Sequence, residues 1–367
     1  MKKHAKKILV AMSGGVDSSV AATLLTKQGF AVTGCFMKNF SQEAWQGIID
    51  KECPWEIDMK DAQKVCKTLK IPFFSLNFEK EYKKKVMDYF FREYKAGRTP
   101  NPDIMCNKEI KFKIFLDKAK KLGFDYIATG HYTRLRREIP NTKYQIPNFE
   151  LLKGVDSGKD QSYFLYALNQ NQLQYCLFPL GNYAKEEVRR LAKKFKLANA
   201  EKKDSQGICF VGHVKLSDFL KQKIKEKKGI IKSIEGKILG QHNGVWNYTL
   251  GQRQGLGIGG GTPYYVVDKN VKANTIIVAP TLKHPLLYKK IIFVEKIQWI
   301  SSKPHLPLSC SAKIRYRQPD QKCTVRKVKG GFSVIFSKPQ FAPTPGQSVV
   351  FYKKDVMLGG GIIENIN

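Results

Sequence analysis

Along the first two hundred residues, short apolar runs alternate with longer stretches whose apolar positions recur every three or four residues. The runs "KILVAM", "AVTGCFM", "IPFFSLNF" and "DYIATGHY" have the length and composition of buried strands. The stretches "DSSVAATLLTKQG", "IDMKDAQKVCKTLK", "KEYKKKVMDYFFREYKAG", "EIKFKIFLDKAKKLG" and "YAKEEVRRLAKKFKL" have helical spacing, and several end at glycine. Such alternation predicts an α/β domain over residues 1–212, a parallel sheet with helices on both faces. Ligands of such sheets sit at the carboxyl ends of the strands, near the switch point.

Beyond that boundary the pattern changes. One more helix, "VKLSDFLKQKIKEKK", precedes short strand-like runs separated by glycine turns: "GVWNYTL", "PYYVVDKN", "NTIIVA", "KIIFVEKIQWI", "SCSAKIRYRQ", "CTVRKVKG", "GFSVIFSK", "QSVVFYKKD" and "MLGGGIIEN". They predict a small β-rich linking domain over 213–280 and a C-terminal β-barrel over 281–367. No repeat or low-complexity tract interrupts the chain.

Composition changes this picture in three places. A net charge of +33 points toward nucleic acid. The 53 lysines against 11 arginines weaken that inference, because such a bias also follows from genome composition. Eight cysteines in 367 residues, with no C-x-x-C pair, give neither a disulfide scaffold nor zinc-ligand spacing. No apolar run reaches membrane-spanning length. The basic start "MKKHAKKILVAM" breaks at a Ser-Gly-Gly turn, too early for a signal peptide, so the expected location is cytoplasmic.

The first chemistry lies between strand and helix, in "AMSGGVDSS". Gly14 and Gly15 allow backbone N–H groups to crowd an anion, and the following helix aims its dipole at the same point. Ser18 and Ser19 add hydroxyls. The lysine that a Walker loop sends to the β- and γ-phosphates is missing, with Val16 and Asp17 in that stretch. A loop without it suits a pyrophosphate that departs as one unit, so the expected chemistry is adenylation. Asp17 is a candidate magnesium ligand. The plainer reading is a capped helix after a tight turn.

Two later segments carry cysteines in suggestive settings. In "GRTPNPDIMCNKEIKF" two prolines stiffen the entry. Asp103 and Cys106 lie three apart beside a predicted helix start, where a thiol gains thiolate character and a carboxylate can move protons. In "KKDSQGICFVG", Cys209 sits in a polar, glycine-containing stretch between the α/β region and the β region. Each cysteine alone reads as well as a buried structural one.

"SGGVDSS" resembles the pyrophosphatase loop of the N-type ATP pyrophosphatase superfamily, which includes GMP synthetase, argininosuccinate synthetase and lysidine synthetase. Together with "TPNPDIMCNKEIKF", "ATGHY", "GKDQSYFL", "DSQGICFVG", "YTLGQRQGLGIGG" and "KIRYRQ", it resembles the bacterial tRNA-specific 2-thiouridylases over nearly the whole chain. The resemblance implies that Ala11, Met12, Ser13, Gly14, Gly15, Val16, Asp17 and Ser18 hold ATP, with Met37 and Gly130 bordering the nucleotide. It implies that Asn101, Pro102 and Asp103 meet the target uridine. Cys106 would be the nucleophile and Cys209 the persulfide carrier, the two closing a transient disulfide. Lys159, Asp160, Gln161, Arg315 and Tyr316 would contact tRNA. The implied reaction adenylates C2 of the wobble uridine and replaces its oxygen with sulfur, using ATP with Mg2+. The implied partners are the anticodon stem-loops of the Lys, Glu and Gln acceptors and a persulfide sulfur-donor protein, with no membrane. His131 is open between a site-facing and a structural role.

A small-molecule adenylating ligase would share the loop but has no need of the β-rich third or of two placed cysteines. A non-catalytic RNA-binding module would explain charge and barrel but not a pyrophosphate loop. In "AKIRYRQ", Lys313, Arg315 and Arg317 alternate with Ile314 and Tyr316, so an extended strand would present three cations on one face, spaced to follow a phosphate backbone.

Overall fold

The computed structural model describes residues 5–41, 54–138, 148–204 and 216–366. The first part of the chain forms β1 (Lys7–Ala11), β2 (Ala31–Lys38), β3 (Phe73–Asn77), β4 (Tyr126–Ala128), β5 (Thr133–Glu138), β6 (Asn148–Lys153) and β7 (Cys176–Leu177). Five of these make a parallel sheet in the order β3-β2-β1-β4-β7. Alternation along β1 sends Leu9 and Ala11 into one core and Ile8 and Val10 into the other. Both faces are covered, which is why the strand reads as an unbroken apolar run. The helix Val16–Lys27 packs on the second face with Pro54–Leu69 and Lys185–Lys194, while helical segments 79–95 and 102–121 cover the first.

From β1 the chain moves outward to β2 and β3, then returns to β4 on the other side of β1. That reversal opens a crevice at the carboxyl ends of β1 and β4, where "SGGVDSS" and "TGHY" begin.

The linking region forms β8 (Gly229–Ser233), β9 (Ile238–His242), β10 (Tyr265–Asn270) and β11 (Thr275–Ala279), a sheet in the order β10-β11-β8-β9. The expected strand "GVWNYTL" is instead a short 3-10 turn, Val245–Asn247. Its apolar residues serve as a plug, with Trp246 buried in the core of the first domain. A plug and a strand draw on the same residue types, so the sequence pattern does not separate them.

The last region forms β12 (Tyr288–Trp299), β13 (Leu308–Lys313), β14 (Gln321–Val328), β15 (Gly331–Phe341), β16 (Ser348–Lys353) and β17 (Val356–Ile366). The order β12-β15-β14-β13-β16-β17 closes through pairing of β12 with β17 into a six-stranded barrel. The hairpin β5–β6, absent from the sequence expectation, belongs to the first domain yet extends the barrel sheet through Val356 and Leu152. Arg134 to Asp355 (2.9 Å) and Lys153 to Asp320 (2.6 Å) pin it there.

Candidate active site

Ala11 and Met12 are buried at the end of β1, where Met12 N–H donates to the carbonyl of Cys35 (2.8 Å). Ser13 to Ser18 then fold back on themselves. Ser18 Oγ accepts from Ser13 N–H (3.2 Å) and donates to the Gly15 carbonyl (3.1 Å), to which Ser19 Oγ also donates (2.9 Å). Gly14 has a φ of 73°, and a Cβ there would stand 2.2 Å from the Asp58 carbonyl oxygen. Gly15 is the N-cap of the helix Val16–Lys27 and brings no capping side chain, so no side chain competes with an anion for its first N–H groups. Gly130 closes the crevice from β4, because a Cβ would lie 2.8 Å from Ser18 N. Met37 is buried in the core beneath.

The absent lysine has a counterpart from elsewhere in the chain. Lys185, first residue of the helix Lys185–Lys194, is buried with its ammonium 2.6 Å from Asp17 Oδ1 and 2.8 Å from Asp204 Oδ1. Tyr132 O–H also donates to Asp17 Oδ1 (2.8 Å). Burial, then the Asp17 charge, push the Tyr132 phenol up, so it remains a donor. Asp204 further binds Lys159 (2.7 Å) and Arg189 (2.7 Å). Burial opposes ionisation of Asp204, but hydrogen bonds from Lys159 and Lys185, with their charges, hold its pKa at about 2. Asn199 Nδ2 donates to the Gly14 carbonyl and to Ser19 Oγ, both at 2.9 Å, fixing the loop from behind. Sequence reading named neither Lys185, Asn199 nor Tyr132. Glu187 accepts from Ala184 N–H (2.7 Å) at the helix start, but nothing local marks where Lys185 points.

Asn101 caps the second helical segment, its Oδ1 accepting from Asp103 N–H (3.1 Å) and Ile104 N–H (3.2 Å), with Pro102 in the first turn. Asp103 and Cys106 therefore share the opening turns of one helix, and a π-helical stretch, Cys106–Phe115, begins at the cysteine. Asp103 is partly accessible, while Cys106 is fully buried. The segment entering this helix is clamped by the rest of the molecule. Thr99 N–H donates to the Pro345 carbonyl (2.9 Å) and Gln347 Nε2 donates to the Thr99 carbonyl (2.8 Å). Lys269 of the linking sheet donates to the carbonyls of Gly97 (2.6 Å) and Tyr248 (2.7 Å), its pKa lowered by burial to about 8. Cys209 lies outside the described residues.

His131 is turned into the packing. It is buried between Phe112 and Phe178, its Nδ1 lies 2.7 Å from Thr129 Oγ1, and burial, then the charge of Lys111, hold its pKa well below the usual value.

Lys159, Asp160, Gln161, Arg315 and Tyr316 come together at the seam between the first domain and the barrel. Tyr316 O–H points to the Lys159 carbonyl (3.4 Å), and its ring lies 4.5 Å from that of Phe164. Asp160 is turned inward, accepting from Gly154 N–H, Ser162 N–H and Ser162 Oγ–H. Gln161 Oε1 accepts from Tyr132 N–H (3.0 Å). The expected row of cations does not form. β13 ends at Lys313, and residues 314–317 bend into a turn. Lys313 is buried, its ammonium 3.6 Å from Asp160 and 3.8 Å from Asp320. A carboxylate contributed by another domain drew it inward, a force that strand periodicity does not contain. Arg315 donates to the Ala342 carbonyl (3.0 Å) with its guanidinium over Phe341.

Residues 6–213, 217–280 and 289–363 match, in turn, the families described as tRNA methyl transferase HUP domain, tRNA methyl transferase PRC-barrel domain and aminomethyltransferase beta-barrel domain. A protein named tRNA-specific 2-thiouridylase MnmA from Idiomarina loihiensis is 51% identical, covering 99% of this chain and 97% of its own length. A namesake from Pseudomonas fluorescens is 49% identical over 98% of this chain and 95% of its own length. The Geobacillus kaustophilus protein named MnmA 2 is 47% identical over 99% and 96%. This chain belongs to the tRNA-specific 2-thiouridylase family.

The methyl-transfer wording of the domain families and the sulfur-transfer names of these relatives describe different reactions. An overall identity of about one half over 98–99% of this chain decides for the thiouridylase family, since the alignment spans all three regions and not the nucleotide-binding fold alone. Among the described residues, no helix is long and apolar enough to cross a membrane, and no cluster of three or more metal-ligating side chains forms.

Proposed function

We propose that this chain is an ATP-dependent tRNA-uridine 2-sulfurtransferase that acts on the wobble uridine in the cytoplasm. The observation that carries the reading is full-length identity with thiouridylases on a chain whose phosphate loop and Cys106 helix are both intact.

The loop Ala11–Ser18 binds the phosphates of ATP, with Met37 and Gly130 bordering the nucleotide. Lys185 takes the place of the lysine missing from the loop. Its charge, shared here between Asp17 and Asp204, turns to the pyrophosphate as that group develops charge. Both bonds to Asp17 end on Oδ1, and Asp17 would be the residue to hold a magnesium ion, which would offset the charge of the leaving pyrophosphate. One carboxylate plus substrate phosphates is the usual way a protein holds this ion. The C2 oxygen of the uridine attacks the α-phosphate, pyrophosphate leaves, and the base acquires AMP as a leaving group.

Cys209 carries sulfur as a persulfide delivered by a donor protein. In one route its terminal sulfur attacks C2 and displaces AMP, and the Cys106 thiolate then attacks Cys209 Sγ, breaking the S–S bond to free 2-thiouridine and closing a Cys106–Cys209 disulfide. In the other, the Cys106 thiolate attacks Cys209 Sγ, closes a Cys106–Cys209 disulfide and releases sulfide, which then attacks C2. Asp103 handles the protons. The uridine must leave its stack, at a few kcal/mol, and the anticodon loops of Lys, Glu and Gln tRNAs lower that cost by already splaying bases. The fully buried Cys106 is engaged only when the flipped uridine parts the packing above it. Asn101 and Pro102 border that base. Lys159, Gln161, Arg315 and Tyr316 meet the tRNA along the seam, while Asp160 shapes the loop that presents them.

The test is release of pyrophosphate and AMP from ATP, with nucleoside mass analysis of the tRNA. We expect release to depend on tRNA and 2-thiouridine to appear once a persulfide donor is added. ADP formed in step with thiolation would overturn the adenylation mechanism.

A further inference from the structure

Cys310 on β13 and Cys323 on β14 face each other in direct antiparallel register. Both are free thiols, and their sulfurs lie 3.7 Å apart. The proposed reaction uses neither. A disulfide requires Cα atoms roughly 4.4–6.8 Å apart. Directly opposed antiparallel residues stand about 4.5 or 5.5 Å apart, inside that window for either kind of pair. Bonding requires the sulfurs to close to about 2 Å, within the reach of side-chain rotation on strands already in place.

The two thiols are unequal. Cys310 is half-buried and open to a small oxidant, whereas Cys323 is buried in the barrel core with Val325 and Phe336. The hydrogen bond to Cys310, then burial, push the Cys323 thiol up, so it waits as a protonated partner. The strands they sit on bracket residues 314–320, the turn that carries Arg315 and Tyr316 and anchors Lys313 to Asp160 and Asp320.

We propose that Cys310 and Cys323 form an oxidation site, closing reversibly into an intramolecular disulfide that staples the base of this turn. With a peroxide as oxidant, Cys310 sulfur attacks one peroxide oxygen, the O–O bond breaks, and a sulfenic acid and one water form. Cys323 sulfur then attacks the sulfenic sulfur and expels the hydroxyl as a second water. Two thiols are oxidised by two electrons, and one hydrogen peroxide is reduced to two waters. A dithiol reductant reverses the bond by exchange. In a reducing compartment the bond forms only under oxidant, as a redox-responsive pair does.

The experiment uses the full chain, free of reductant, exposed to hydrogen peroxide and digested with trypsin. Cleavage after Lys296, Lys313, Lys322 and Arg326 places Cys310 in the peptide 297–313 and Cys323 in "CTVR". We expect these two peptides joined, two hydrogens lighter than their sum, and separated again by dithiothreitol. Any Cys106–Cys209 bond falls on other peptides. C310S and C323S should each abolish the joined species, and C323S should leave Cys310 as a sulfenic acid trapped by dimedone. Amide exchange across 314–320 should slow on oxidation and recover on reduction. Peroxide products on the two cysteines that are never joined, or joined only between copies in a mixed-isotope sample, would overturn the site. Unchanged exchange across the turn would overturn the staple.

Discussion

The phosphate loop and the seam around Arg315 are built by opposite routes. In the loop, Ser13, Gly15, Ser18 and Ser19 bond to one another across two to five residues of chain. A strand end and a helix start fix that geometry, so the motif is legible wherever it occurs. In the seam, Tyr316 reaches Lys159 across 157 residues and Gln347 reaches Thr99 across 248. None of these contacts has a local cause. Even the loop depends on distant partners at its one unusual point, where Lys185 crosses 168 residues to Asp17. Local hydrogen bonds shape a site, whereas its charge balance is set by whatever side chains the tertiary fold brings beside it.

The largest effects should come from the cysteines. Cys209→Ser should abolish thiolation yet leave ATP and tRNA binding intact, because serine is a far weaker nucleophile near neutral pH. Cys106→Ser should also block turnover, and full thiolation by that variant would leave Cys106 as a packing residue only. Asp103→Asn removes a proton carrier without changing the helix cap. It should cost about 10²- to 10⁴-fold in turnover, read with pre-adenylated and ordinary substrate to separate the two steps.

Lys185→Met sharpens the comparison between local and distant parts of the nucleotide site. Loss of a charge-assisted bond of roughly 1.5–3 kcal/mol should weaken ATP and pyrophosphate binding about 10- to 100-fold. AMP binding, measured by calorimetry, should hold. Equal losses for AMP and ATP would assign Lys185 to scaffolding, and Lys185→Arg should retain most of the affinity.

In the seam, Arg315→Ala should lower the salt dependence of tRNA binding by about one unit if one phosphate contact is lost, with ATP binding unchanged. An unaltered slope would move the tRNA elsewhere.

The smallest effect is on acid stability. Asp204 has its pKa depressed from 3.8 to about 2. Its contribution is therefore fully present above pH 4 and lost as pH falls toward 2. The difference in thermal midpoint between wild type and Asp204→Asn should shrink over that interval, and a constant difference would show that packing, not charge, dominates there.

Helical spacing and apolar runs predicted the parallel sheet, since both its faces are buried and the strands carry that fact in their composition. The helix that presents Asp103 and Cys106 starts at Pro102 behind an Asn101 cap, earlier than the start expected at "EIKF". The β-rich third was legible as barrel strands, although "GVWNYTL" became a turn and the hairpin β5–β6 went unread. A plug such as Trp246 and an edge hairpin owe their form to a surface from another part of the chain. The cation row of "AKIRYRQ" failed for the same reason: Asp160 and Asp320 turned Lys313 inward. Sequence by itself determined what is held by neighbours along the chain: the strands and the glycine loop. Tertiary structure alone decided which charges meet. Ion pairs act over a few ångströms of space with no preference in sequence separation, so Lys185, Asp204 and Lys313 acquired their roles only when the chain had folded.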